Sequence, residues 1–260
     1  MAGGRFMVRT YVSGEVTERS MFPVGNAAKV RKPQVKGATP PRKQDQNDRS
    51  AVKRLARLIN CNFYHGCLWI TLTYSAAMFE ALVTGLIRAG MPLTDDAVRE
   101  AAVRERDNCL RRVKYDLKKS GAELKYIAVT SDYDGDTGKP VRVHHHILAP
   151  KLAFDAFVKH WGVDSVDIRP LRDQKDYTPV AVYLMKQVRR QPDLRKYSAS
   201  RNLAKPVITE EIVLESSELK APRGAVVQER VFDADSATQY LRFVNPPPRA
   251  SGRRAGVSSG

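Results

Sequence analysis

Val141-Arg142-Val143-His144-His145-His146-Ile147-Leu148 is the stretch on which the fold and chemistry of this chain turn. Its β-branched and apolar residues suit a strand, where residues i and i+2 point to one face and the residue between them to the other. His144 and His146 would then present two imidazoles side by side, an arrangement that suits a metal ion. The chain has five histidines, and three of them are in this run.

Working outward, residues 124–131 (LKYIAVTS) read as the preceding strand. Asp132 to Pro140 (DYDGDTGKP) reads as a turn by composition, so strand, turn and strand make an antiparallel hairpin. Residues 68–74 (LWITLTY) are apolar enough for a central strand. Asp95 to Ser120 reads as a long helix, with Thr94 as N-cap, Asp95 and Asp96 at the positive end of the dipole and Gly121 as its stop. Residues 49–60 form an amphipathic helix with Val52, Leu55, Ala56 and Ile59 on one face. A short helix over 151–161, a strand over 163–171 and a helix from Pro179 to about Arg189, capped by Thr178, follow. Residues 5–13 read as a strand, and 207–244 hold further strand-like pieces. The expected fold is α+β: a central antiparallel sheet flanked by helices, with LWITLTY beside the histidine strand. The expected organisation is an N-terminal strand and basic arm (1–48), a main domain (49–206), an extension packed on that domain (207–245) and a disordered basic tail (246–260).

The formal net charge of +16 points to a polyanionic partner, with nucleic acid ahead of an anionic membrane surface. The charge is clustered at Lys29, Arg31, Lys32, Lys36, Arg42 and Lys43, at Arg111, Arg112, Lys114, Lys118 and Lys119, and at Lys186, Arg189, Arg190, Arg195, Lys196, Arg201 and Lys205. Each cluster could track a phosphate backbone. There is no run of about eighteen apolar residues and no secretory h-region, so a membrane span or export is not expected, and a cytoplasmic location is. Cys61, Cys67 and Cys109 fit no zinc spacing and suit reduced thiols. No G-x-x-x-x-G-K-[ST] loop occurs, so no ATPase or helicase domain is expected in this chain.

Tyr183 and Lys186 are three apart, so they share a helical face, and such a pair can serve as nucleophile and electrostatic helper. In order, the chain therefore carries LWITLTY, then His144-x-His146, then Tyr183-x-x-Lys186. That order resembles the HUH endonucleases, and within them the rolling-circle replication initiators of small bacterial phages and plasmids. RLINCNF, WGVDSVDIRPL and YSASRNLAKP extend the likeness over roughly residues 50–206. The resemblance implies a palm-like α+β domain with a divalent ion, Mn²⁺ or Mg²⁺, on His144 and His146, and Tyr183 as nucleophile with Lys186 favouring its phenolate. It departs from the family pattern at His145, where an apolar or aromatic residue is usual; His145 is expected to point away from the metal. A third ligand is expected after Ser131, with Asp132 as the candidate and Asp134 as its rival. Pro179 and Val180 occupy the positions of a second nucleophile, so a single-tyrosine enzyme is implied, with Tyr177 set aside.

The implied activity is nicking of single-stranded or hairpin origin DNA, leaving a 5′-phosphotyrosine and a free 3′-hydroxyl, with later rejoining. Arg189, Arg190, Arg195, Lys196, Arg201 and Lys205 would hold the strand, Tyr197 could stack on a base, and a host helicase would open the duplex. Two other readings share these residues: a DNA-binding protein without catalysis, and a relaxase or single-strand transposase. Relaxases often carry the nucleophile ahead of the histidines, and such transposases are usually shorter.

Overall fold

The computed structural model describes residues 5–24, 41–188 and 196–246. The chain divides into two compact units, one formed by residues 30–206 and the other by residues 1–29 with 207–260. The fold is α+β, with two antiparallel sheets and five α-helices among the described residues.

In chain order the elements are β1 (Phe6–Ser13), β2 (Val16–Pro23), α1 (Pro41–Asn62), β3 (Leu68–Leu72), α2 (Ala76–Arg88), α3 (Asp95–Lys119), β4 (Ile127–Tyr133) and β5 (Pro140–Ala149). They continue with α4 (Phe154–Trp161), β6 (Val166–Pro170), α5 (Thr178–Lys186), β7 (Ser198–Ala199), β8 (Val207–Val213), β9 (Val226–Asp233) and β10 (Thr238–Val244).

The central unit is built on a sheet in the order β6-β3-β5-β4-β7. The histidine strand β5 lies between β3 and β4, and Thr71 pairs with His146 on one side while Val129 pairs with His146 on the other. Alternation along these strands sorts the side chains onto two cores. Leu68, Ile70, Ala128, Ile147 and Ala149 bury against Leu110, Val113 and Leu117 of α3 and Phe157 of α4. Ile127, Val129 and Leu148 bury against Leu55 and Ile59 of α1 and Ala181 and Leu184 of α5. Residues one position apart on β5 therefore face different helices, and this decides the fate of each histidine.

α3 starts and ends as its sequence predicts: the Thr94 hydroxyl accepts the Ala97 N–H at 3.2 Å, and Gly121 follows the helix at φ +75°. α1 differs, beginning at Pro41 rather than 49. The stretch 41–48 has no apolar stripe to signal a helix, but extending a turn already nucleated and buried at Leu55 and Ile59 costs little. α2 was not evident from periodicity, because apolar residues surround it and only Leu86 is fully buried. Its signals are local: the Ser75 hydroxyl accepts the Met78 N–H at 3.2 Å, and Gly90 follows at φ +67°. At α5 the cap position is Tyr177 rather than Thr178, and the Asp176 carboxylate accepts the Thr178 N–H at 2.8 Å.

The terminal unit corrects the expected division into an N-terminal strand with an arm and a C-terminal extension on the main domain. Its sheet runs β8-β1-β2-β10-β9, so strands from both ends of the chain interleave. Val8 and Met21 share a core with Leu219, Leu241 and Phe243. Arg9 of β1 sits opposite Glu210 of β8 and bonds it at 2.6 Å, a cross-strand pair that helps set the register. Most of the basic arm and the tail from 247 lie outside the described residues. Among those that are described, no helix is long and apolar enough to cross a membrane.

Candidate functional site

The histidine triplet splits as strand geometry requires. His144 and His146 share the face covered by α1 and α5, with ring centroids 4.9 Å apart at 84°. Nδ1 of His144 lies 3.0 Å from the Arg142 carbonyl, which can only accept, so Nδ1 donates to it and Nε2 is the ring nitrogen left to face the site. His146 is buried, its Nδ1 lies 3.3 Å from the Thr71 hydroxyl, and its Nε2 is buried with no hydrogen-bond partner. Burial, and then the neighbouring His144, push the His146 pKa down to about 4, so the ring is neutral near pH 7. A neutral His146 whose buried Nε2 is otherwise unsatisfied, with the His144 ring beside it, fits a divalent metal.

Tyr183 reaches the same place from α5. Its ring lies 5.7 Å from that of His146 and 5.5 Å from Trp69, and Trp69 in turn lies 5.1 Å from His146. Tyr183 is 43% exposed, so the residue stands at a surface a substrate can reach. Trp69 and Thr71 are the residues that motif reading passed over. Both lie on the site face of β3, and their signal was available in the two-residue alternation of LWITLTY.

The expectation that Lys186 favours the Tyr183 phenolate is not met in this arrangement. Lys186 pairs with Asp136 of the β4–β5 turn at 3.5 Å. The Tyr183 pKa is raised, first by burial and then by Asp136 and Asp134, so the phenol is held protonated.

Asp132 is not brought together with His144 and His146. A register shift between Ser131 and Tyr133 interrupts the ladder, and Asp132 lies against α3, ion-paired with buried Arg99 at 3.2 Å. Asp134, the other candidate, closes its own turn: its carboxylate accepts the N–H groups of Asp136 at 2.8 Å and Thr137 at 3.2 Å. Among the described residues no group of three or more His, Cys, Asp or Glu is placed to share a metal.

His145 faces α3 and is fully buried. Its bonds have one consistent direction. Arg106 Nη1 donates to the Thr130 hydroxyl at 2.8 Å, and the Thr130 hydroxyl lies 2.8 Å from His145 Nδ1. His145 Nε2 lies 3.0 Å from the Tyr74 hydroxyl, which donates to the Ala102 carbonyl at 3.2 Å. Since the carbonyl only accepts, the Tyr74 oxygen accepts from His145, and the neutral Nε2–H tautomer satisfies every group. Burial, with Arg106 as the next cause, holds the His145 pKa well below its ordinary value.

Two predictions follow from this geometry. A Cβ at Gly135 would lie 2.3 Å from the Lys186 backbone oxygen, where the Tyr133 hydroxyl also donates at 2.7 Å. Gly135→Ala is expected to push the turn off the end of α5 and cost about 1–3 kcal/mol, read from urea unfolding. The second concerns acid. His146 titrates at 6.5 when unfolded and at about 4 when folded, so the unfolded chain binds a proton that the folded chain refuses. Stability of the metal-free protein is therefore full above pH 6.5 and falls as the pH drops toward about 4, by on the order of 3 kcal/mol from His146 alone. Urea midpoints measured in chelator across this range should show that slope, and it should become shallower in His146→Leu.

Of the other expected contacts, Lys196 is ion-paired with Asp48 of α1, while Arg201 and Lys205 are exposed. Arg189, Arg190 and Arg195 lie outside the described residues. Tyr197 is partly buried against the α1–α5 core. Tyr177 is buried and donates its hydroxyl to the Arg172 carbonyl at 3.0 Å, which makes it a core residue. Comparison with protein-family models, curated proteins and solved structures returned no match to this chain.

Proposed function

We propose that this protein is a single-tyrosine HUH-type endonuclease that initiates replication by nicking single-stranded or hairpin origin DNA. The observation that carries the reading is the convergence of His144, His146 and Tyr183 from a sheet and a facing helix, with the Tyr183 ring 5.7 Å from that of His146.

Tyr183 Oη attacks the scissile phosphorus. The Oη–P bond forms, the bond from phosphorus to the 3′-oxygen breaks, the phenolic proton leaves, and the 3′-oxygen takes up a proton. The phosphotyrosine keeps the energy of the broken diester, so a later attack by a 3′-hydroxyl reseals a strand without ATP. His144 and His146 would hold the metal through Nε2, their Nδ1 atoms being occupied by Arg142 and Thr71. A divalent cation there, Mn²⁺ or Mg²⁺, would neutralise charge developing on the phosphate and favour the nearby phenolate. Trp69 fixes the Tyr183 ring from one side and so limits the directions from which its hydroxyl can meet the phosphate. Exposed Arg201 and Lys205 supply positive charge for the strand, and duplex opening falls to a separate helicase.

The test is a denaturing gel after incubation with single-stranded origin oligonucleotides and Mn²⁺. A covalent adduct is expected with wild type; its absence across a broad oligonucleotide set overturns the reading.

A further inference from the structure

The outward side of α3 is not used by the site above. Arg111, Lys114 and Lys118 are exposed and succeed one another at helical spacing, so they form one stripe. Beside the stripe runs a groove of about 770 Å³, whose far wall is the segment Ala199 to Asn202, including Arg201. The two carboxylates of this groove are already engaged. Asp107 accepts from Arg106 at 3.0 and 2.7 Å, and Glu123 accepts from Asn202 at 3.0 Å. Arg106 balances Asp107, whereas Glu123 keeps its charge, so the four cations that line the groove outnumber its one unbalanced carboxylate.

Across Arg111 lies a second hollow of about 580 Å³ that contains Tyr115. Its carboxylate, Asp116, is held by Lys159 and His160, each at 2.8 Å. Tyr115 is 59% exposed, and Lys119 Nζ sits 4.4 Å from its ring centroid. A row of cations in excess of its carboxylates attracts a phosphate backbone. An exposed aromatic ring beside it suits an unpaired base, which can stack where a base in a duplex cannot.

We propose that the α3 surface running from Arg201 across Arg111 to Tyr115 is a binding track for single-stranded DNA, distinct from the nicking site and on the opposite side of the sheet. That the strand is DNA rests on the proposed function; the binding chemistry does not. β7 is the edge strand that links the two sides. Lys196, just before it, pairs with Asp48 of α1, which packs on the Tyr183 face, and Arg201, just after it, lines the α3 groove. A strand rounding this edge would pass from one side to the other.

Fluorescence anisotropy of the full chain with labelled oligothymidine, in chelator over a salt series, tests the track. The triple variant Arg111→Ala, Lys114→Ala, Lys118→Ala should bind at least about tenfold more weakly, and its salt slope should fall by about 2, at about 0.7 for each lost contact. Lys114→Ala alone should lower the slope by about 0.7, which keeps the test decisive if the triple variant folds poorly. Tyr115→Ala should weaken single-strand binding about tenfold and leave binding of a matched duplex unchanged. Unchanged affinity and slope in the charge variants overturn the track. A Tyr115→Ala variant that loses nothing, or loses equally on duplex, overturns the assignment to single strands. If wild type binds through this surface but forms no adduct, the track stands and the nicking reading falls.

Discussion

Tyr183→Phe is expected to abolish the covalent protein–DNA adduct, lowering strand cleavage by roughly 10⁴-fold or more, because Tyr183 is the tyrosine that packs against His146. Tyr177, the nearest alternative on sequence grounds, is 4% exposed with its hydroxyl bonded to a backbone carbonyl. The phenylalanine ring keeps the contacts with Trp69 and His146, so stability should stay within about 0.5 kcal/mol of wild type. The two readouts together separate the possible readings. A protein that only binds DNA would keep its whole activity in this variant. A phenylalanine variant that still forms the adduct would remove Tyr183 from the mechanism. Loss of the adduct together with loss of oligonucleotide binding would instead mean that the substitution had damaged the fold.

The second large effect concerns adjacent histidines with opposite duties. His145→Ala should cost about 3–5 kcal/mol in urea unfolding. It opens a cavity in the core and leaves the Thr130 and Tyr74 hydroxyls without their shared partner, beside Arg106. His144→Ala, one residue away, should change stability by no more than about 0.5–1 kcal/mol, since its ring is only partly buried and bonds to the Arg142 carbonyl at the surface. Calorimetric titration with Mn²⁺ should invert this ranking: His144→Ala loses metal affinity, while any His145→Ala protein that remains folded retains it. A cost below about 1 kcal/mol for His145→Ala would show that the directional chain from Arg106 to Ala102 does not hold the core together.

Much of the candidate site could be read from the order of short stretches, because alternation in a strand is a strict rule. It separates His145 from His144 and His146, and it also places Trp69 and Thr71, once β3 is known to neighbour β5. The third ligand was not legible, because a register shift after Ser131 breaks the alternation at the position in question. The Asp136–Lys186 pair was hidden for a related reason: it depends on how close the turn comes to the end of α5, which Gly135 permits and no periodicity encodes. α3 was legible because its cap, charge bias and terminal glycine agree. The terminal sheet was not, since pairing between residues about 200 apart, such as Arg9 with Glu210, leaves no local signal.

That pairing has a consequence for synthesis. β1 and β2 are made before residues 30–206, but their outer neighbours β8 and β10 only after them. The unit of residues 30–206 is contiguous in sequence and can close while the chain is still growing. The hairpin at the N-terminus must meanwhile wait with both edges unpaired, exposed to wrong partners. Completion of this sheet thus reports arrival of β8 and β10, and a polypeptide cut short after Pro206 would carry a hairpin that is sticky along two sides.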